Sequence, residues 1–170
     1  IEPIVLWLSK GRVVVWQTFA NLSTGKYAEL LGGYNVKTLL DCKPADVENA
    51  DRGLVLVATV GKFNQRYKAE GDRRIFQVGL DVADQSLWDL LKSRRDIKGR
   101  RRQFIVVYDE GHNLSNQQTN LLLELGPDAL IAASATMKIP EALSKIIDRL
   151  KQDMKWGDQD LVTAVHSSAV

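Results

Sequence analysis

The sequence predicts an α/β fold, a parallel sheet layered between helices on both faces, and three observations carry that prediction. Apolar runs of strand length alternate with helix-period segments along the chain, the order produced by strand-helix-strand crossovers. Most of these runs, Leu54-Val55-Leu56-Val57-Ala58 among them, lack polar alternation, as strands covered on both faces do. One of them, Phe104-Ile105-Val106-Val107-Tyr108, runs straight into Asp109-Glu110, at the strand end where open parallel sheets place their ligand-binding groups.

The strands are expected at residues 4–8, 36–40, 54–58, 75–78, 104–108 and 129–133. Between the first two, Val13-Val14-Val15-Trp16 supports two readings. Its β-branched residues favour a strand, paired as a hairpin through Ser9-Lys10-Gly11-Arg12. Its periodicity favours a helix with Val15, Phe19 and Leu22 on one face. Asp84 is suited to cap a short helix carrying Leu87, Trp88 and Leu91. Ser115 and Gln118 form a capping box, Leu114, Leu121, Leu122 and Leu125 make an inward stripe, and Gly126-Pro127 stops that helix. Pro140 suits a first helical position ahead of Leu143, Ile146, Ile147, Leu150 and Met154. Trp7, Trp16 and Trp88 fall in apolar patterns and are expected in the core.

A chain of 170 residues, 45% apolar and 26% charged, has the size and composition of one well-cored domain. No apolar stretch approaches the roughly 20 residues of a spanning helix, and no signal-peptide pattern opens the sequence, so a cytoplasmic location with no membrane partner is expected. The lone Cys42 has no partner for an internal disulfide, which agrees with a reducing compartment. Net charge is only +2, but Arg94, Arg95, Lys98, Arg100, Arg101 and Arg102 crowd one segment against Asp96 alone. That segment reads as a solvated basic loop or as a DNA contact. The first residue is Ile1, and a strand-like run follows almost at once, as in a piece cut from a longer protein.

Two adjacent carboxylates at the end of a buried strand are costly unless a cation or hydrogen bonds compensate them. One can hold a metal ion through water while its neighbour orients and deprotonates an attacking water. Ser134-Ala135-Thr136 begins twenty-five residues after Asp109, at the end of the next apolar run, and adjacent parallel strand ends lie about 5 Å apart. Each motif alone has an ordinary reading, Asp-Glu as a turn or helix cap and Ser-Ala-Thr as a small-residue turn. Their order and topology together carry the catalytic one.

Asp109-Glu110-Gly111-His112 resembles the Walker B box, motif II, of the superfamily 2 helicases in its D-E-x-H form, and Ser134-Ala135-Thr136 resembles their motif III. The stretch from Leu6 to Arg12, with Gln17-Thr18, resembles motif Ia, and Val55-Leu56-Val57-Ala58-Thr59-Val60-Gly61-Lys62 resembles motif Ib. The likeness runs from about residue 4 to residue 152 and is greatest to the helicase-like ATPase subunits of type III restriction enzymes. It implies a three-layer RecA-like sheet of the P-loop NTPase type, truncated at its N-terminus. Residues 1–155 would form a partial first RecA-like domain, and residues 156–170 a tail leading towards a second. It also decides for a helix over residues 13–22.

The resemblance further implies a parent that couples hydrolysis of ATP, with Mg²⁺, to movement on DNA. Asp109 would hold Mg²⁺ through water, Glu110 would act as base and His112 would bond a neighbouring loop. Ser134, Ala135 and Thr136 would couple hydrolysis to movement, while Ser9, Lys10, Arg12, Gln17, Thr59, Gly61 and Lys62 would hold the nucleic-acid backbone. Its partners would be DNA, a second RecA-like domain and a modification (methyltransferase) subunit.

The departure from that pattern is the phosphate loop, G-x-x-x-x-G-K-[S/T], expected before motif Ia. The nearest imitation, Ala20-Asn21-Leu22-Ser23-Thr24-Gly25-Lys26-Tyr27, puts Tyr27 where the Mg²⁺-binding hydroxyl belongs, and a helix end capped by Gly25 is the better reading. The piece on its own is therefore expected to be inactive. The alternative from another class is a non-catalytic RecA-like module that binds nucleic acid or protein. A metal-dependent nuclease using Asp109 and Glu110 lacks a third carboxylate or lysine at suitable spacing.

Overall fold

A computed structural model of the chain describes residues 1–63, 85–110, 114–134 and 139–154. Five strands, β1 (Ile4–Ser9), β2 (Tyr34–Thr38), β3 (Gly53–Thr59), β4 (Phe104–Asp109) and β5 (Ala129–Ala133), form one sheet in the order β2-β3-β1-β4-β5. Every pairing is parallel. The helices are α1 (Arg12–Ser23), α2 (Pro44–Glu48), α3 (Leu87–Ser93), α4 (Asn116–Glu124) and α5 (Glu141–Met154). Among the described residues no helix is long and apolar enough to cross a membrane.

Strand alternation divides the core between the two sheet faces. Ile4, Leu6 and Leu8 of β1, with Leu54 and Leu56 of β3 and Phe104, Val106 and Tyr108 of β4, pack under Val47 of α2, Trp88 and Leu91 of α3 and Leu121 and Leu122 of α4. On the opposite face Val5, Trp7, Val55 and Val57 meet Val15, Phe19 and Leu22 of α1. The expected three layers are present, and α/β is the fold class.

The chain runs helical from Arg12 to Ser23, so periodicity outweighs β propensity at Val13-Val14-Val15, because only the helix turns Val15, Phe19 and Leu22 together onto the sheet. Trp16 is then rotated away and is 61% exposed, which corrects its expected place in the core. Strand β2 begins and ends two residues before the expected 36–40, because Tyr34 lies across Gly53 in the register and Leu39 turns into the core within the 3-10 turn Leu39–Asp41. A Cβ on Gly53 would come within 2.2 Å of the Tyr34 ring, so the small residue is needed there.

Strand β5 forms where expected, but Ile131 is 54% exposed and four of its five residues are open, so it is not a strand covered on both faces. The α3 cap is Ser86, whose hydroxyl accepts the Asp89 N–H; Asp84 lies outside the described residues. The Ser115–Gln118 capping box forms as read, Leu114, Leu121, Leu122 and Leu125 are buried, and Gly126 takes a left-handed φ of 61°. The α5 stripe faces inward at Leu143 and Ile147, which are half-buried. The Pro140 carbonyl accepts from the N–H groups of Leu143 and Ser144, placing Pro140 just ahead of the assigned helix. The expected strand at 75–78 and the tail from 156 lie outside the described residues.

The basic segment is not simply a solvated loop. Arg94 and Arg102 are both 0% exposed. The Arg102 guanidinium donates to six main-chain carbonyls, of Glu2, Pro3, Asp46, Val47, Asn49 and Arg52, at 2.7 to 3.3 Å. It thereby ties the end of α2 to the start of β1 and the approach to β3, supplying donors to carbonyls that a helix end leaves unmatched. Arg94 reaches the carbonyls of Arg102, Leu91, Leu125 and Gly126, and its ring-stacking partner is Phe104, 5.1 Å from the guanidinium carbon. Burial pushes both guanidinium groups below their ordinary range, but an arginine stays charged. Asp96 is buried too and shapes the turn between them, accepting from the N–H groups of Lys98 and Arg100 and from the Arg100 side chain. Burial works to raise its pKa, and these hydrogen bonds together outweigh it and hold the carboxyl below the usual range. Arg95, Lys98, Arg100 and Arg101 remain exposed.

Candidate functional site at the carboxyl edge of the sheet

Each residue that closes an apolar run emerges at the same edge. Ser9 is register partner of Thr59, Leu8 of Tyr108, and Asp109 of Ala133. Ser9 and Asp109 are therefore the next positions on neighbouring strands, as are Glu110 and Ser134, and neighbouring strands lie about 4.8 Å apart. Ser9, Thr59 and Asp109 also share parity with Val5, Val55 and Val107, so their side chains leave the sheet on the α1 side.

The topology makes a crevice there. From β1 the chain passes through α1 towards the β2 side, and from β4 it passes through α4 to β5 on the other side, while α1 and α4 cover opposite faces. Adjacent strands whose connections part in this way open a cleft beyond their carboxyl ends, which is the ligand position of open α/β sheets. Ser9 and Asp109 stand on its two sides.

Asp109 is half-buried, and among the described residues no ion pair or hydrogen bond compensates its carboxylate. Glu110 is exposed and has a φ of 67°, the left-handed region that a side chain makes costly. Such outliers gather at functional sites, where position outweighs local strain. Glu110→Gly is accordingly expected to be more stable than Glu110→Ala by about 1 kcal/mol, since both delete the carboxylate and only glycine relieves the backbone. Urea denaturation of the two variants measures the difference, and an alanine variant as stable as the glycine one would refute the strain.

On the other face of the sheet, Tyr108 is fully buried and its hydroxyl has no hydrogen-bond partner among the described residues. Burial, with the charges of Asp109 and Glu110, pushes that phenol upwards, on the sheet face opposite to the Asp109 side chain. His112, Ala135 and Thr136 lie outside the described residues, and only Ser134 of its motif can be placed, half-buried beyond β5.

The backbone-binding candidates separate into two kinds. Lys10, Arg12 and Gln17 are exposed on and before α1. Ser9 is 1% exposed, and its hydroxyl has no hydrogen-bond partner. It lies just before α1, whose N-cap Gly11 offers no capping side chain and whose first turn holds no acid, an arrangement that favours an anion. Arg12, Thr59 and Lys62 meet at a cavity of about 460 Å³, which Val15, Trp16, Thr38, Leu39, Leu40, Asp41, Val57 and Ala58 also line. Gly61 precedes Lys62 in the 3-10 turn Val60–Phe63 that follows β3. The structure thus brings residues of the two apolar-run ends, near residues 12 and 59, to one cavity.

The imitation phosphate loop is a helix end. The amides of Thr24 and Gly25 both donate to the Ala20 carbonyl and that of Tyr27 donates to Asn21, so these N–H groups do not face a common anion. The C-cap is Thr24 and not Gly25, and glycine is needed one residue later because a Cβ there would lie 2.9 Å from the Asn21 Cα. Cys42 offers no thiolate chemistry: burial, with the Asp46 carboxylate beside it, pushes its thiol up to about 12. Among the described residues no cluster of three His, Cys, Asp or Glu side chains could hold a metal ion. A single carboxylate still suits Mg²⁺, which keeps several waters and takes one or two carboxylates together with substrate phosphates.

Sequence reasoning missed Trp16 as a lining residue of the cavity, and the signal that could have found it was its offset from the Val15, Phe19 and Leu22 face. Neither family models, curated proteins nor solved structures give a match to this chain.

Proposed function

We propose that this chain is the core of a first RecA-like domain from a DNA-dependent ATPase of the superfamily 2 helicase and translocase type, closest to the motors of type III restriction systems, working in the cytoplasm. One observation carries the reading. Four segments chosen for their resemblance to motifs Ia, Ib, II and III, distant in sequence, end at one edge of one parallel sheet in matching register. Parallel strands end together in any such sheet; what supports the reading is the residue types that close them, Asp109 and Glu110 beside Ser134, with Ser9 and Thr59 on the neighbouring strands.

In this reading Asp109 would hold Mg²⁺, and Glu110 would orient the water that attacks the terminal phosphate and take its proton. Bound Mg²⁺ would neutralise charge developing on the phosphates. Ser134 stands beside Glu110 to sense that state and pass it on, with Ala135, Thr136 and His112 completing the set. Lys10, Arg12, Gln17, Thr59, Gly61 and Lys62 hold the DNA backbone without reading its sequence, as a motor that must pass any sequence requires, while the buried Ser9 hydroxyl does not reach it. A second RecA-like domain and a modification subunit are the partners that follow from the same reading. The phosphates need donors beyond the described residues, since residues 20–27 spend their amides on a helix end.

The backbone contacts are testable on the chain itself. Binding of labelled DNA is expected to weaken steeply with salt. Arg12→Ala combined with Lys62→Ala should reduce the log-log salt slope by about 2, close to 1 for each phosphate no longer neutralised. An unchanged slope, or no binding at low salt, would contradict the assignment.

A further inference from the structure

The exposed indole beside the two cations calls for its own account. Burying a large apolar side chain is worth about 1.5 to 3 kcal/mol, and Trp16 forgoes most of that at 61% exposure. Its ring nonetheless has one packing partner. It meets Phe19 edge-on, with centroids 5.9 Å apart and planes at 88°, and Phe19 is packed against the sheet by the α1 core cluster. Arg12 lies four residues earlier, on the same side of the helix, and both line the 460 Å³ cavity with Thr38, Thr59 and Lys62. The one acid of this wall among the described residues, Asp41, accepts a hydrogen bond from the Thr38 hydroxyl.

An aromatic face held open beside a guanidinium, an ammonium and hydroxyls matches one nucleotide unit: a base for the ring, a phosphate for the cations. Stacking on a side chain needs a base whose face is free, and within a duplex both faces are covered by neighbouring pairs. We propose that Trp16 stacks an unpaired base of a strand whose phosphates lie against Arg12 and Lys62, so that this edge takes single-stranded nucleic acid in preference to duplex. The inference rests on the nucleic-acid reading above and goes further, because it makes the domain a holder of opened strands.

The test is fluorescence anisotropy of the chain with a labelled oligo-dT strand and with a blunt hairpin duplex of equal charge, for the unmodified chain, Trp16→Ala and Trp16→Phe. Unlabelled dTMP as competitor separates a strand site from a mononucleotide site. Trp16→Ala is expected to weaken single-strand binding about 5- to 150-fold, the range for loss of one stacking aromatic, and to leave duplex binding unchanged. Trp16→Phe should keep most of the single-strand affinity, and dTMP should compete poorly. Equal affinity of Trp16→Ala and the unmodified chain for the single strand would overturn the proposal and leave the backbone reading standing. Equal losses on both substrates, or displacement by dTMP at the affinity of the strand, would also overturn it. Absence of any salt-sensitive binding would sink both readings.

Discussion

Arg102→Met is expected to destabilise the fold by at least about 4 kcal/mol, enough to unfold much of a domain whose whole stability is about 5 to 15 kcal/mol. Six carbonyls share the Arg102 guanidinium, and methionine keeps the stem while removing every donor. A buried acceptor left unmatched costs about 1 to 3 kcal/mol, so the loss stays large even when water reaches some of the six. Arg102→Lys is expected to recover little, because a single ammonium cannot span carbonyls contributed by Glu2, Asp46 and Arg52 as a planar fork does. Arg101→Met provides the contrast: Arg101 is exposed and among the described residues its side chain reaches only the Gly126 carbonyl, at 3.1 Å, so its loss should cost under about 1 kcal/mol. Urea unfolding of the three variants decides the matter, and an Arg102→Met domain about as stable as the parent would refute the bracket.

Glu110→Gln is expected to lower ATP turnover by about 100-fold or more in the polypeptide its gene encodes, with KM for ATP nearly unchanged. The amide keeps the shape of the side chain but exchanges one acceptor oxygen for an NH2 donor, and it cannot accept the proton of the attacking water. Position supports the role: Glu110 projects from the end of β4 on a left-handed backbone, next to Asp109 and level with Ser134. Asp109→Asn should act differently, raising the Mg²⁺ concentration needed for half-maximal rate, because it weakens the metal's protein ligand. Identical Mg²⁺ dependence in the two variants would remove the division of labour.

What was legible in the sequence divides along a physical line. Strand β5 appears residue for residue as its apolar run indicates, and the α4 capping box forms because its signals lie within three residues of one another. The convergence of Ser9, Thr59, Asp109 and Ser134 on one edge was also legible, since each closes an apolar run and parallel strands must end together. Arg102 was not. In sequence it is one arginine among Arg94, Arg95, Arg100 and Arg101, and only the meeting of α2, β1 and the approach to β3 collects carbonyls around it. Trp16 was misread for a similar reason: its neighbours are apolar, but a helix of 3.6 residues per turn sends Val15 to the sheet and the next side chain outwards. The left-handed φ at Glu110 was not legible either, because nothing in the sequence marks a charged residue for that backbone region.

If the carboxyl edge joins nucleotide chemistry to nucleic acid, phosphate release from ATP, followed with and without DNA in the polypeptide its gene encodes, tests that link most directly. Release is expected to rise severalfold on addition of DNA and to be removed by Glu110→Gln. Release that ignores DNA and survives Glu110→Gln would contradict it.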